Sequence, residues 1–185
     1  MSDLRKFNPS KENKGLEIKA VRCDTHPMSF ESLYNIYTTF KEDHPNASWF
    51  PEFQRGSVWT QEQKEQLIIS MLHGLPIGSF YVNTWWFDEK EKRAKMDCVL
   101  FDGQQRFTAI LEFLTGQFPI TFEGEFYYVT DLSFQEWLSL RRYPVSVINS
   151  YIDDWNTLID FYILINKGRT QHTIDEFQKA LDCKE

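Results

Sequence analysis

The segment 98–114, CVLFDGQQRFTAILEFL, constrains the fold more than any other part of the 185-residue chain. Its first four residues form a short apolar run that suits a buried strand better than an exposed helix. Four apolar residues then recur at helical spacing: Phe107, Ile110, Leu111 and Leu114. The pattern predicts a strand followed by a helix over residues 104–114 that begins within two residues of Gly103.

The rest of the sequence alternates β-rich and helical segments in an irregular order. Further strands are predicted at 79–86 and 143–148, with a hairpin around Glu123 and Gly124. Helices are predicted over about 29–41, after Thr60 and Ser133, from Asp153 or Asp154 to Ile165, and after Thr173. Residues 44–59 are interpreted as an ordered loop and 87–97 as a charged connector. The predicted fold class is therefore α+β.

Composition limits the class of protein. The length favours one domain, here residues 21–185 after a polar lead-in at 1–20. No apolar run approaches the roughly 18 residues of a membrane span, and the N-terminus lacks the apolar core of a secretory signal. The three cysteines are scattered and odd in number, which is typical of reduced thiols in a cytoplasmic protein. A net charge of −7 argues against a DNA-coating surface.

The residues Asp102 to Arg106, DGQQR, form the main candidate site. The first turn of a helix leaves backbone N–H groups without partners inside the helix, and these groups attract phosphate. Gly103 allows a sharp turn, Gln104 and Gln105 can donate amide hydrogen bonds, and Arg106 adds a forked cation. Asp102 is then explained as a ligand of Mg²⁺ or as the group that positions a water.

A structural explanation of the same residues remains open. Asp-Gly is a common tight turn, Asp is an ordinary N-cap, and an arginine in a first helical turn is expected to contribute little to the core. Two further segments have both a functional and a purely structural explanation. Gln54 and Arg55 lie in the aromatic loop FPEFQRGSVW, where Arg55 either faces a shared site or is a surface arginine. The glycines of GLPIGSF, residues 74–80, either admit a ligand or serve to end one helix and start a strand.

The two blocks FPEFQRGSVWTQEQKEQLIISMLHGLPIGSFYV and VLFDGQQRFTAILEFL, with the later FYILINKGRTQHTIDEFQKA, resemble the N-terminal domain of GmrSD-type, modification-dependent restriction enzymes. That domain is related to the ParB/sulfiredoxin-like fold, a small mixed sheet with surrounding helices. The resemblance implies binding of a nucleoside triphosphate at Asp102, Gly103, Gln104, Gln105 and Arg106 and hydrolysis of that nucleotide, and it nominates Gln54 and Arg55 more weakly. Together with the chemistry of these residues, it favours a domain that binds an NTP with Mg²⁺ and hydrolyses it slowly.

The chain also departs from the family pattern. Full-length family enzymes often carry an HNH nuclease domain, whereas the four histidines here show no such spacing. Phe107 stands where the family commonly has Leu. The alternative expectation is therefore a non-catalytic module, of a phage or mobile element, that binds DNA, a partner protein or a nuclease subunit. Direct nuclease action by this domain is the least favoured of the three.

Overall fold

A mixed four-stranded sheet organises the fold. The computed structural model describes residues 20–54, 59–87, 94–167 and 181–183. The strands, in chain order, are β1 (Cys23–Ser29), β2 (Ser79–Phe87), β3 (Ala94–Asp102), β4 (Ile120–Phe122), β5 (Glu125–Tyr127) and β6 (Pro144–Ser150). The central sheet has the order β1-β6-β2-β3, in which β2 and β6 run parallel and the other pairs antiparallel. Strands β4 and β5 form a separate hairpin.

In the described part of the chain, five α-helices surround this sheet, and Val129–Asp131 forms a short 3-10 helix. The α-helices are α1 (Phe30–Asp43), α2 (Gln61–Leu72), α3 (Gln104–Leu114), α4 (Phe134–Arg141) and α5 (Trp155–Lys167). The α+β class predicted from the sequence is confirmed. None of the helices in the described residues is long and apolar enough to cross a bilayer. The three cysteines are free thiols.

The buried side chains form two clusters because successive strand residues point to opposite faces. Phe80 and Leu100 pack with α1 to α4 in the larger cluster, whereas the neighbouring Phe101 packs with α5 in the smaller one. Helices α3 and α5 are thus held by different hydrophobic clusters.

Phe107 occupies the centre of an aromatic group in the larger cluster. Its ring lies 5.0–6.2 Å, centroid to centroid, from four others: Phe30, Tyr37, Trp49 and Phe50. Aromatic pairs at such separations stabilise a core beyond their buried area. This neighbourhood gives a physical reason for an aromatic residue at position 107.

The predicted helix and turn signals are present. Thr60 with Gln63 and Ser133 with Glu136 form capping boxes at the starts of α2 and α4. Asp154 accepts a hydrogen bond from the backbone N–H of Thr157 at 2.8 Å and so caps α5. The hairpin turn at residues 123 and 124 has positive φ at both positions, as a two-residue type I′ turn requires.

Two assignments in the sequence were incomplete. Strand β1 was not predicted, since CDTHPMS contains Pro27 and lacks apolar alternation; it is an edge strand paired with β6 alone. The connector proposed at 87–97 is wrong at both ends, because Phe87 belongs to β2 and residues 94–97 belong to β3. Residues 88–93, the lead-in at 1–19 and the helix predicted after Thr173 lie outside the described residues.

The outer edge of β3 is covered by the loop that precedes α2. The Leu100 N–H donates to the Trp49 carbonyl at 3.0 Å, and the Trp49 indole N–H donates to the Cys98 carbonyl at 2.7 Å. The Gln54 side-chain amide donates to the Leu100 carbonyl at 2.6 Å. These bonds satisfy groups that an edge strand would otherwise expose, and they place the loop beside the carboxyl end of β3.

Candidate functional site

A cleft of about 380 Å³ opens where β3 ends and α3 begins. Four separate parts of the chain line it. They are the DGQQR residues Asp102, Gly103, Gln104, Gln105 and Arg106; Ile77 and Gly78 before β2; Gln54 and Trp59 of the aromatic loop; and Tyr162 and Asn166 of α5. The volume lies in the range of small-molecule sites. The structure therefore brings together all predicted site residues that it describes, and Arg55 lies outside the described residues.

Gly103 makes the turn from β3 into α3. It is the N-cap of α3 and has φ 106°, in the left-handed region that favours glycine. A Cβ atom at this position would lie 2.6 Å from Cδ1 of Phe80. Space and backbone conformation therefore both require glycine. The explanation of Asp102 as the N-cap is wrong, since Asp102 is the last residue of β3.

The start of α3 differs from the other helix starts. Ser29, Thr60 and Ser133 accept hydrogen bonds from first-turn amides of α1, α2 and α4, whereas Gly103, the N-cap residue of α3, has no side chain that could do so. The first turn of α3 also contains no acidic residue. A helix start with an anion-attracting dipole, a glycine as its N-cap and no acid in its first turn thus borders the cleft.

Arg106 is bound into the wall of the cleft. Its guanidinium donates hydrogen bonds to the carbonyl of Ile77 at 3.0 Å and to that of Ser79 at 2.9 Å. It lies 4.9 Å from the ring centroid of Phe80 and 3.4 Å from Oδ2 of Asp102. The side chain is 13% exposed. The expectation that a first-turn arginine contributes little to the core is wrong here, because this one joins α3 to the segment before β2.

Gly78 completes the surroundings of the guanidinium. It has φ 82°, and a Cβ there would lie 2.9 Å from Nη1 of Arg106. The glycine in GLPIGSF is therefore needed for the close approach of a side chain of this protein. Gly78 also directly precedes β2, as the interpretation of this segment as a helix end followed by a strand start predicted. The contact with Arg106 was not predicted.

The three glutamines at the site have different positions. The Gln105 side-chain oxygen accepts a hydrogen bond from the Trp59 N–H at 3.3 Å, so it ties the loop before α2 to α3. Gln54 holds the edge of β3, as described above. Gln104 lies at the first position of α3 and lines the cleft. Of the three side chains, that of Gln104 is the one with no hydrogen bond within the described structure.

Tyr162 and Asn166 were not predicted as site residues. Both lie on the last turns of α5, whose cluster is separate from that of α3. Asn166 is 3% exposed, and its Nδ2 donates to the Tyr162 carbonyl at 2.8 Å. A polar residue at the end of the apolar run FYILIN was the available signal, since buried amides need partners and often serve a site.

Asp102 is the one carboxylate among the lining residues that the structure describes. Its side chain is 16% exposed and faces the Arg106 guanidinium. Within the described part of the chain, no three His, Cys, Asp or Glu side chains gather as a metal cluster. One carboxylate does fit an ion that is bound mainly by substrate phosphates, which is the usual way that Mg²⁺ is held with nucleotides.

The sequence matches the model of a known family over most of its length. The family model described as the N-terminal domain of the GmrSD restriction endonuclease matches residues 30–183. The chain belongs to this family. The matched range includes every residue that lines the cleft of this GmrSD N-terminal domain. No curated protein and no solved structure matches the chain.

Proposed function

We propose that this GmrSD N-terminal domain binds a nucleoside triphosphate in the cleft at DGQQR. The observation that carries the proposal is the start of α3, which has a glycine as its N-cap and no acid in its first turn and borders a cleft of about 380 Å³. Helix N-termini of this kind bind phosphate through backbone amides and the helix dipole. The family resemblance of the motifs supports the same ligand.

The lining residues would share the work of binding. Gly103 and Gln104 would present the phosphate-binding face, and Arg106 would add positive charge while it keeps the turn in shape. Asp102 would hold Mg²⁺ together with the phosphate oxygens. Bound Mg²⁺ would supply charge neutralisation for phosphoryl transfer to water. This arrangement supports a slow Mg²⁺-dependent NTPase, and Arg55 is proposed to approach from the facing loop.

The proposal also covers the fold class of the domain and its role in a restriction system. We assign the chain to the ParB/sulfiredoxin-like class on the strength of an arginine-bearing helix start beside a small mixed sheet. We also propose that this domain binds and hydrolyses the NTP of a restriction system and does not itself cleave DNA. The four histidines, His26, His44, His73 and His172, do not have HNH spacing. The start of α3 at the cleft instead suits the binding of a phosphate. A cytoplasmic location is part of the same proposal.

Calorimetry with Mg²⁺ and each of the four NTPs tests the binding. The decisive variant is Gln104→Glu. An acid in the first turn of a helix stabilises the helix, yet it would repel a phosphate at the same place. A unit charge within about 4 Å is worth roughly 1–4 kcal/mol near a surface, so we expect the affinity for NTP to fall at least tenfold while the melting temperature stays equal or rises.

Gln61→Glu is the matched control for this experiment. Gln61 is the first residue of α2, as Gln104 is of α3, and it does not line the cleft. The control variant should bind NTP like the wild type. Equal affinity of wild type and Gln104→Glu, or no NTP binding at all, would contradict the proposal.

A second candidate function is favoured by a surface around the β4–β5 hairpin. Residues 107–140 contain five acidic residues and no Lys or Arg. Several aromatic side chains of this stretch are exposed: Phe122, Phe126, Tyr127, Tyr128 and Phe134. The hairpin, α2 and α4 border a groove of about 350 Å³. Exposed apolar patches mark interaction sites, and negative charge repels DNA phosphates. This surface therefore fits a basic, partly apolar polypeptide better than DNA.

An amphipathic Leu/Lys peptide and duplex DNA are suitable probes for this surface. We expect the peptide to bind and Phe126→Ser to weaken it, since Phe126 is 69% exposed on the hairpin. Leu164→Ser, at an equally exposed residue of α5, is the control and should leave the affinity unchanged. Binding of DNA in place of the peptide, or equal effects of the two variants, would argue against the candidate.

A further inference from the structure

The side-chain amide of Asn166 is oriented by the protein itself. Its Nδ2 donates to the Tyr162 carbonyl at 2.8 Å, and a carbonyl oxygen can only accept. The reversed amide would bring two oxygens together, so this bond fixes which end of the amide is nitrogen. The residue is 3% exposed on α5, and it lines the cleft.

The Oδ1 of Asn166 accepts no hydrogen bond from the protein in the described structure. No fully buried side-chain polar atom among the described residues lacks a partner, so this oxygen must reach open space rather than lie enclosed. Asn166 lines the cleft, and we infer from this that its Oδ1 faces the cleft. A nearly buried side chain therefore presents a fixed acceptor to any molecule in the cleft.

Phosphate oxygens cannot satisfy such an acceptor, because they are acceptors themselves. A nucleotide has its donors on the ribose hydroxyls and on the N–H groups of the base. Trp59 lines the same cleft, and an aromatic ring there provides a stacking surface for a base. The phosphates and the nucleoside would then occupy different parts of the cleft, at the start of α3 and beside α5.

We propose that Asn166 Oδ1 accepts a hydrogen bond from the nucleoside part of the bound nucleotide and thereby selects ligands with an O–H or N–H donor at that place. This inference rests on the proposed nucleotide binding. A ribose hydroxyl and an exocyclic base amine share the required chemistry, and matched nucleotide pairs separate the two sources.

Calorimetry on wild type and Asn166→Ala would use pairs that differ by one donor group: ATP with its 2′-deoxy and 3′-deoxy forms, ATP with purine riboside triphosphate, and CTP with 2-pyrimidinone riboside triphosphate. The last two analogues lack the exocyclic amine and gain no ring N–H. We expect the wild type to prefer the donor-bearing member of one kind of pair by about two- to tenfold, the range for one neutral hydrogen bond. Asn166→Ala should abolish that preference. If Asn166→Ala loses the preference between ATP and its deoxy forms, the donor is a ribose hydroxyl. If it loses the preference between nucleotides that differ in the base, the donor is the exocyclic amine.

Asn156→Ala is the matched control, since it makes the same change on the same helix at a residue that does not line the cleft. It should keep the wild-type preference. Circular dichroism checks folding, and the near-isosteric Asn166→Leu replaces Asn166→Ala if the smaller side chain prevents folding. The nucleotide preference of the wild-type protein can be measured even if no Asn166 variant folds. NTP binding without preference in any pair, or a preference that survives in the Asn166 variants, overturns this inference alone. Absence of all NTP binding overturns the proposed function as well.

Discussion

Replacing Arg106 by alanine should cost stability as well as ligand affinity. The guanidinium donates to the carbonyls of Ile77 and Ser79 at 3.0 and 2.9 Å, and it is 13% exposed. Hydrogen bonds from charged groups contribute about 1.5–3 kcal/mol each. Water from the cleft can hydrogen-bond to the two carbonyls in the variant, so we use the lower value, about 1.5 kcal/mol, for each bond. We therefore expect Arg106→Ala to lose about 3 kcal/mol of unfolding free energy. For a chain of this length, that loss lowers the melting temperature by roughly 6–12 °C.

Urea unfolding followed by circular dichroism and tryptophan fluorescence measures this loss. Arg106→Lys should recover part of it, because one ammonium keeps the charge but lacks the planar fork that reaches two carbonyls. The control is Arg22→Ala, which removes a side chain that is 76% exposed and whose ion pair with Asp24 is a surface pair. Such pairs contribute about 0–1 kcal/mol. If Arg106→Ala were no more costly than Arg22→Ala, the assignment of Arg106 as a tie between α3 and the segment before β2 would be refuted.

Three further outcomes are expected. Gly78→Ala should destabilise the protein more than Gly74→Ala, because both glycines have positive φ but a Cβ at Gly74 meets nothing within 4 Å; equal melting temperatures would contradict this. Hydrogen bonds from Ser133 lower the pKa of Glu136, so this carboxylate stabilises the fold above its ordinary pKa and the effect is lost as the pH falls; NMR titration of Ser133→Ala should show the pKa of Glu136 raised. Asp102→Asn should reduce Mg²⁺-dependent phosphate release more than NTP binding, and unchanged release would remove the metal role.

The sequence predicted those helix starts and turns that depend on residues close together in the chain. The helix start after Thr60 and the strand-to-helix turn at Gly103 depend on residues within a few positions of one another, so their patterns are readable before folding. Strand β1 was missed for the opposite reason. It is an edge strand whose regular structure comes from pairing with β6, more than a hundred residues later, and its own sequence favours no strand.

The candidate site was predictable in its motif and not in its contacts. DGQQR indicated the helix start, but the acceptors of the Arg106 guanidinium lie almost thirty residues earlier in the chain. They come within reach because β2 pairs with β3. Asn166 reaches the same cleft from a helix that belongs to the smaller hydrophobic cluster. Contacts of this kind follow from strand order and helix packing, which residue spacing does not encode.

An NMR titration of the ¹⁵N-labelled protein with NTP and Mg²⁺ tests the central claim most directly, because it reports on individual backbone amides. We expect saturable shifts that are largest at the amides of Gly103, Gln104 and Gln105, where the start of α3 borders the cleft. The amides at the capped start of α2 should remain nearly unchanged. Saturable shifts that avoid the DGQQR amides, or no saturable shift with any NTP, would contradict the account.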